Sequence, residues 1–159
     1  DVPVCLEGKG AKMSGMGEKV APAPPLPRAP LVLVNPLVPL PTPSVFKARS
    51  GRFSKPAPLA AAPRDARDLA EALAARRNDL TDAAIGLVPA IKDILAALAA
   101  QPGCLLARMS GSGATCYALF ARDDDAQAAA AAISAAKPGW WIEASELVGD
   151  ASALAPGFD

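Results

Sequence analysis

The sequence predicts an α+β fold, a mostly antiparallel sheet covered by helices in the manner of a plait. Three observations carry this. Four short runs of strand character, "LVLVNP", "CLLARM", "TCYALF" and "WWIEASEL", alternate with stretches in which apolar residues recur at helical spacing. Their order is strand, helices, strand, strand, helix, strand, which a helix-covered sheet satisfies most economically. Glycine and proline punctuate the joints between them.

Residues 1–22 hold two short β-prone runs around "SGMGE" (Ser14 to Glu18), a glycine-bearing connection of the kind that closes hairpins. Residues 22–30, "PAPPLPRAP", carry five prolines and form a stiff extended connection, with a candidate domain boundary inside it. "LVLVNP" (Leu31 to Pro36) is a buried-type strand stopped by Asn-Pro. "PTPSVFKAR" (Pro41 to Arg49) opens like a short helix, Thr42 capping it and Pro43 standing in its first turn. "SGRFSKPAPLAAAP" is loop. Ala66, Leu69, Ala70 and Leu73 mark one face of a helix over 65–77. A second helical stretch carries Leu87, Ile91, Ile94, Leu95 and Leu98, with a kink or restart expected at Pro89. Asn78 and Asp79, between the two, are expected to cap the later one.

"CLLARM" and "TCYALF" flank a glycine loop, and "DDDAQAAAAAISAAK" (Asp123 to Lys137) is an Ala-rich helix with three carboxylates at its positive end. The Ala runs keep helical period and read as tight packing. "WWIEASEL" (Trp140 to Leu147) supplies the last strand.

Composition narrows the function classes. Hydrophobic residues make up 52% and charged residues 20% of 159, a globular balance with room for one domain, or one domain and part of another. Sixteen basic residues offset sixteen acidic ones, leaving no net field to recruit nucleic acid or an anionic membrane. No apolar run approaches the roughly 20 residues of a membrane helix. The three cysteines, Cys5, Cys104 and Cys116, are widely spaced and accompanied by no histidine, which argues against a disulfide framework and a Cys/His metal site and for a reducing cytoplasm. The opening "DVPVCLEGKG" reads as the middle of a fold, so a piece of a longer polypeptide is expected.

The stretch "RMSGSGATC" (Arg108 to Cys116) is where chemistry is most concentrated. A Walker-type phosphate loop needs G-x-x-x-x-G-K-[ST] running into a helix; here the Lys is missing and a strand follows. Two readings remain. Gly111 and Gly113 can bend the backbone into a plain hairpin turn, or aim N–H groups at an anion.

Several stretches in order, "DVPVCLEGKGAKMSGMGE", "VNPLVPLPTPSVFKA", "RNDL", "LLARMSGSGATCYALF" and "PGWWI", resemble the 4-diphosphocytidyl-2-C-methyl-D-erythritol kinase family. That family belongs to the superfamily of galactokinase, homoserine kinase, mevalonate kinase and phosphomevalonate kinase. The resemblance runs from residue 1 to about 145 and leaves the tail uncovered. It implies residues 1–30 as the remnant of an N-terminal ATP-binding domain, 31–148 as the C-terminal domain and 149–159 as a tail. It also implies ATP, with Mg²⁺, as phosphoryl donor, 4-diphosphocytidyl-2-C-methyl-D-erythritol as the small-molecule acceptor and the missing N-terminal domain as a partner in the same polypeptide.

From the residues alone, Asp1 is an ordinary terminal residue and Phe46 a core residue of its helix. The resemblance gives them other work. Asp1 matches the aspartate beside the acceptor hydroxyl, able to take its proton or orient it. Phe46 matches the aromatic that stacks on cytosine, and Thr42 and Pro43 match its neighbours. Met16 matches a position near the same pocket. Ser110, Gly111, Ser112 and Gly113 match the third motif, a glycine loop beside the bound phosphates. Cys5 departs from the family's Phe without touching Asp1. The family's ATP loop, catalytic lysine and several cytidine contacts correspond to positions upstream of Asp1, and Arg108 cannot replace them. A face covered by that half would be left apolar in the isolated chain, favouring association. The purified 159-residue chain is therefore expected to show no phosphoryl transfer to the cytidine substrate, read as ADP release in a coupled assay.

Overall fold

In the computed structural model the described residues are 9–15 and 19–150, so the expectations for Asp1, Cys5, Met16 and the tail beyond 150 lie outside them. β1 (Ala11–Ser14) and β2 (Lys19–Pro22), the two β-prone runs, pair antiparallel as a two-stranded sheet of their own. The Pro-rich segment then runs to β3 (Ala29–Asn35), the apolar strand anticipated from "LVLVNP".

β3 lies inside a four-stranded antiparallel sheet. It pairs with β5 (Cys116–Phe120) through Leu31 and Leu119, and with β6 (Trp141–Leu147) along its whole length. β4 (Cys104–Met109) flanks β5, giving the order β4-β5-β3-β6. Alternation along these strands feeds two apolar layers. Val32, Val34, Cys116, Ala118 and Phe120 join one cluster, while Leu31, Leu33, Tyr117 and Leu119 join another on the opposite face. Both faces are covered, which is why "LVLV" is apolar without a break.

Helix α1 (Thr42–Ala48) forms where expected, but its cap differs: Pro41 holds the N-cap position, and no side chain caps the helix. The Thr42 hydroxyl is engaged with Ser112 instead. Helix α2 (Ala66–Ala74) is capped by Asp65, whose carboxylate accepts from the Arg67 and Asp68 amides. It buries Ala66, Leu69 and Ala70 against the second face, the stripe the sequence marks. It stops before Arg77 because the chain turns at Ala75, and Arg76 reaches back to the carbonyls of Ala57 (2.5 Å) and Pro58 (2.7 Å).

Pro89 restarts the chain. Helix α3 (Thr81–Leu87) ends at Val88, and α4 (Ala90–Ala99) begins directly after the proline. The break at Val88 (φ −133°, ψ 88°) turns that residue inward and leaves Leu87, expected in the core, 46% exposed. Ile91, Ile94 and Leu98 of α4 are fully buried. Helix α5 (Asp123–Ala136) carries its three aspartates in the first turn, where the dipole favours them, and buries Ala126, Ala129 and Ile133. Its small side chains bring the helix close to β3 and β6.

The hairpin is tied to the sheet's end by an antiparallel bridge between Lys9 and Asp150, with a 3.7 Å ion pair. Among the described residues no helix is long and apolar enough to cross a membrane. Ile94→Ala is expected to cost about 2–5 kcal/mol of unfolding free energy, and Leu87→Ala, at a half-exposed site, about 0.5 kcal/mol. Urea titration of both variants, followed by circular dichroism, checks the contrast.

Candidate functional site

The glycine loop is the hairpin connection between β4 and β5. The Ser110 amide donates to Thr115 O and the Gly113 amide to Ser110 O, both at 2.9 Å. Gly111 (φ 53°) and Gly113 (φ 86°) occupy the left-handed region. At Gly111 the demand is conformational, since a Cβ would meet nothing within 4 Å. At Gly113 it is also steric: a Cβ would stand 2.8 Å from Met109 Sδ and 3.2 Å from a methyl carbon of Leu40. The Gly113–Ala114 peptide is cis.

Three side chains from outside the hairpin hold this loop. Asn35, at the end of β3, donates from Nδ2 to Thr115 Oγ1 at 2.8 Å. Thr42, opening α1, shares a 2.8 Å hydrogen bond with the Ser112 hydroxyl. Asn78 donates from Nδ2 to the carbonyls of Gly111 (2.7 Å) and Met109 (3.2 Å), while its Oδ1 accepts from the Leu80 amide at 3.0 Å. Asn78 was expected to cap α3. That position belongs to Leu80, with no side-chain cap bond, because the Asn78 amide is turned toward the glycine loop.

Asp79 does not cap the helix either. Its Oδ2 accepts the amide and hydroxyl of Ser54, each at 2.8 Å, and its Oδ1 lies 2.8 Å from Arg77 Nε. The Ser54 bonds first, and the Arg77 charge after them, hold this carboxyl below its ordinary pKa. A depressed folded-state pKa contributes stability that is present above the unfolded pKa and lost as pH falls through the folded one. The Ser54 segment is therefore fastened to "RNDL" at neutral pH.

Between α1 and the glycine loop lies an open cleft of about 740 Å³, lined by Thr42, Phe46, Phe53, Arg77 and the stretch from Ser110 to Gly113. Phe46 is not the core residue its helix would suggest. Val45 is the buried residue of α1, and Phe46 is 51% exposed toward the cleft. Pro43 stands in the first turn of α1 and does not line the cleft. Thr42, Phe46, Ser110, Gly111, Ser112 and Gly113 are thus brought together; Asp1 and Met16 lie outside the described residues.

Phe53 escaped the sequence reading. It is exposed, lines the same cleft, and carries the Arg49 guanidinium 3.6 Å from its ring centroid. A lone aromatic between Arg52 and Lys55, in a loop of otherwise small residues and prolines, was the available signal. Arg108 points away, donating to Ala74 O at 3.5 Å. Cys116 is buried beneath the loop, its thiol pushed up to about 12 by desolvation, and is therefore a packing residue with no nucleophilic form at neutral pH. Among the described residues no group of three or more Cys, Asp or Glu side chains is placed to hold a metal ion.

Residues 57–139 match the family model described as GHMP kinases C terminal, and the chain belongs to that family. Within it, similarity runs to one enzyme in particular. The chain is 62% identical over 148 residues to 4-diphosphocytidyl-2-C-methyl-D-erythritol kinase of Paramagnetospirillum magneticum, covering 93% of this chain and 52% of the relative. A crystal structure of 4-(cytidine 5'-diphospho)-2C-methyl-D-erythritol kinase superposes with a TM-score of 0.71 at 33% identity, over 94% of this chain and 53% of that one. Homoserine kinase from Cytophaga hutchinsonii shares the fold, with a TM-score of 0.69 at 16% identity over 94% and 51% of the two chains. The chain spans about half the length of the curated relatives it matches.

Asn78→Ala removes three hydrogen bonds to the site's backbone and is expected to cost about 1–3 kcal/mol. Asn78→Asp keeps the acceptor for Leu80 but sets a carboxylate against two carbonyls, and should cost more at neutral pH than Ala does. Thermal unfolding at neutral pH, and again below the carboxylate range where the Asp is protonated, checks both the order and its narrowing in acid.

Proposed function

We propose that this chain is the cytidine-binding C-terminal half of an ATP-dependent kinase that phosphorylates the 2-hydroxyl of 4-diphosphocytidyl-2-C-methyl-D-erythritol. The observation that carries the reading is the meeting of Phe46 with Ser110–Gly113 across one cleft, two segments that lie far apart in the chain. Residues 1–30 then complete an ATP-binding domain, 31–148 form the second domain and 149–159 a tail. The enzyme works in the cytoplasm, in isoprenoid precursor synthesis.

In this reading the exposed ring of Phe46 stacks on the cytosine, which offers a flat π face at little ordering cost. Thr42 lines the same side of the pocket, and Pro43 opens the helix that carries both Thr42 and Phe46. The glycine loop lies beside the substrate's phosphates. Its left-handed glycines keep Cβ atoms out of the approach, and the Thr42–Ser112 hydrogen bond links the loop to the helix that carries Phe46. The cytidine end is thereby placed relative to the reacting end, which is the main demand of phosphoryl transfer.

At the reacting end, Asp1 accepts the proton of the 2-hydroxyl, or orients it, as that oxygen bonds to the γ-phosphorus of ATP and the bond to ADP breaks. ATP enters as the second substrate and supplies the phosphoryl group. Mg²⁺ would accompany ATP; among the described residues no group of three or more Cys, Asp or Glu side chains is placed to hold it.

The test is kinetic, on the complete kinase carrying this chain as its C-terminal half. Phe46→Ala should raise KM for the cytidine substrate about 5- to 150-fold, the loss of one base–aromatic stack, while leaving KM for ATP unchanged. Phe46→Tyr should restore it. A homoserine kinase on the same fold would bind no cytidine diphosphate by calorimetry, and that result would overturn the reading. A start codon directly before Asp1 in the coding sequence would instead make the chain a non-catalytic ligand-binding or dimerisation module.

A further inference from the structure

We infer that Arg77 is the phosphate-recognising residue of the cleft, meeting the diphosphate of the cytidine ligand; this rests on the cytidine-kinase reading above. A nucleoside diphosphate ester brings at least two negative charges into a cleft that already holds the carboxylate of Asp79. The rest of the lining is hydroxyl, amide, apolar or glycine, and Arg77 is the one cation among the described lining residues. Without it, three like charges would share a site bounded by protein on one side.

Geometry supports the same residue. Arg77 Nε lies 2.8 Å from Asp79 Oδ1, which fixes the guanidinium at the cleft. Asp79 is itself held, since its other oxygen accepts both Ser54 bonds. Arg77 Nη2 is 3.9 Å from Asp82 Oδ2, beyond hydrogen-bond length, so one carboxylate does not exhaust the five donors of the fork. The side chain is 65% exposed, open to a ligand. A guanidinium set in this way offers paired N–H groups that match two phosphate oxygens.

The neighbouring cation is committed elsewhere. Arg49 donates to the carbonyls of Ser50 (3.3 Å) and Gly51 (3.0 Å) and lies over Phe53. Arg77 also stands one residue before Asn78, whose side chain holds the glycine loop. The same short stretch therefore sets the loop and presents the charge. A ligand spanning Phe46 and the loop would occupy the cleft that Arg77 also lines.

Equilibrium binding of cytidine and of cytidine diphosphate to the complete kinase, without ATP, tests this. The unaltered enzyme should bind the diphosphate more tightly than the nucleoside. Arg77→Ala should weaken the diphosphate about tenfold, the loss of a charge-assisted pair at a half-open site, and leave cytidine unchanged. Arg77→Lys, which keeps the charge and loses the fork, should fall between. Added salt should weaken the diphosphate less in Arg77→Ala than in the unaltered enzyme. A diphosphate affinity untouched by Arg77→Ala overturns the inference, and so does an equal loss for both ligands, which would mark a merely structural arginine. Failure of the unaltered enzyme to bind either ligand would instead overturn the cytidine reading itself, and this inference with it.

Discussion

The approach of the glycine loop to the core is the constraint on which the rest of the site depends. A Cβ at Gly113 would stand 2.8 Å from Met109 Sδ, 3.2 Å from Leu40 and 3.4 Å from Ile91, three side chains from a strand, a loop and a helix. Met109 and Ile91 are among the most buried residues of the chain, so this floor cannot give way without disturbing the main core. The loop is therefore a hairpin turn whose floor is the hydrophobic cluster and whose roof is the cleft. Packing and site geometry are two faces of one backbone segment.

Above that floor the loop is held by short neutral side chains. Asn35, Thr42 and Asn78 reach it from β3, from α1 and from the segment before α3. Each has few rotatable bonds, so ordering it costs less than ordering a lysine or glutamate would. Their groups are neutral, leaving the charge of the cleft to Arg77 and Asp79, which pair with each other. Such a frame keeps its shape without adding a field of its own. On the cytidine reading, the ligand's charge is then met at one place instead of being spread over the loop.

Much of this was legible in the sequence where a single local rule decides the outcome. "LVLVNP" reads as a buried-type strand, which the structure covers on both faces, and the Ala-rich helix with aspartates at its head obeys propensity and dipole together. Pro89 gave the restart because a ring at that position cannot continue the ladder. The misreadings share a cause. Thr42, Asn78 and Asp79 look like caps, since Thr, Asn and Asp before a helix usually are. In each case the side chain found a partner outside its own helix, 70 residues away for Thr42 and 33 for the bond from Asn78 to Gly111. Helix grammar is local, and a tertiary hydrogen bond can redirect a side chain without moving the helix. Leu87 was misplaced for a related reason: helical period is a good guide only until the chain breaks, and the break at Val88 resets it. Phe46 was the reverse case. A lone Phe on a short helix is usually core, and only its resemblance to a stacking position pointed to a pocket.

The separation of the two halves of the cleft has a physical consequence. Phe46 rides on a seven-residue helix that buries only Val45, whereas the glycine loop sits on the paired strands of the main sheet. A helix that short has little stability of its own, so its position is borrowed from what it touches. The Thr42–Ser112 hydrogen bond and the burial of Val45 help set α1 against the better-held side, beside its packing on α3. The wall carrying the aromatic is therefore the more easily moved, and the wall carrying the loop stays with the core. On the cytidine reading, such a site adjusts its grip on a flat ring while holding the phosphate side still. That division suits a cleft in which stacking tolerates small displacements and placement at the reacting end does not.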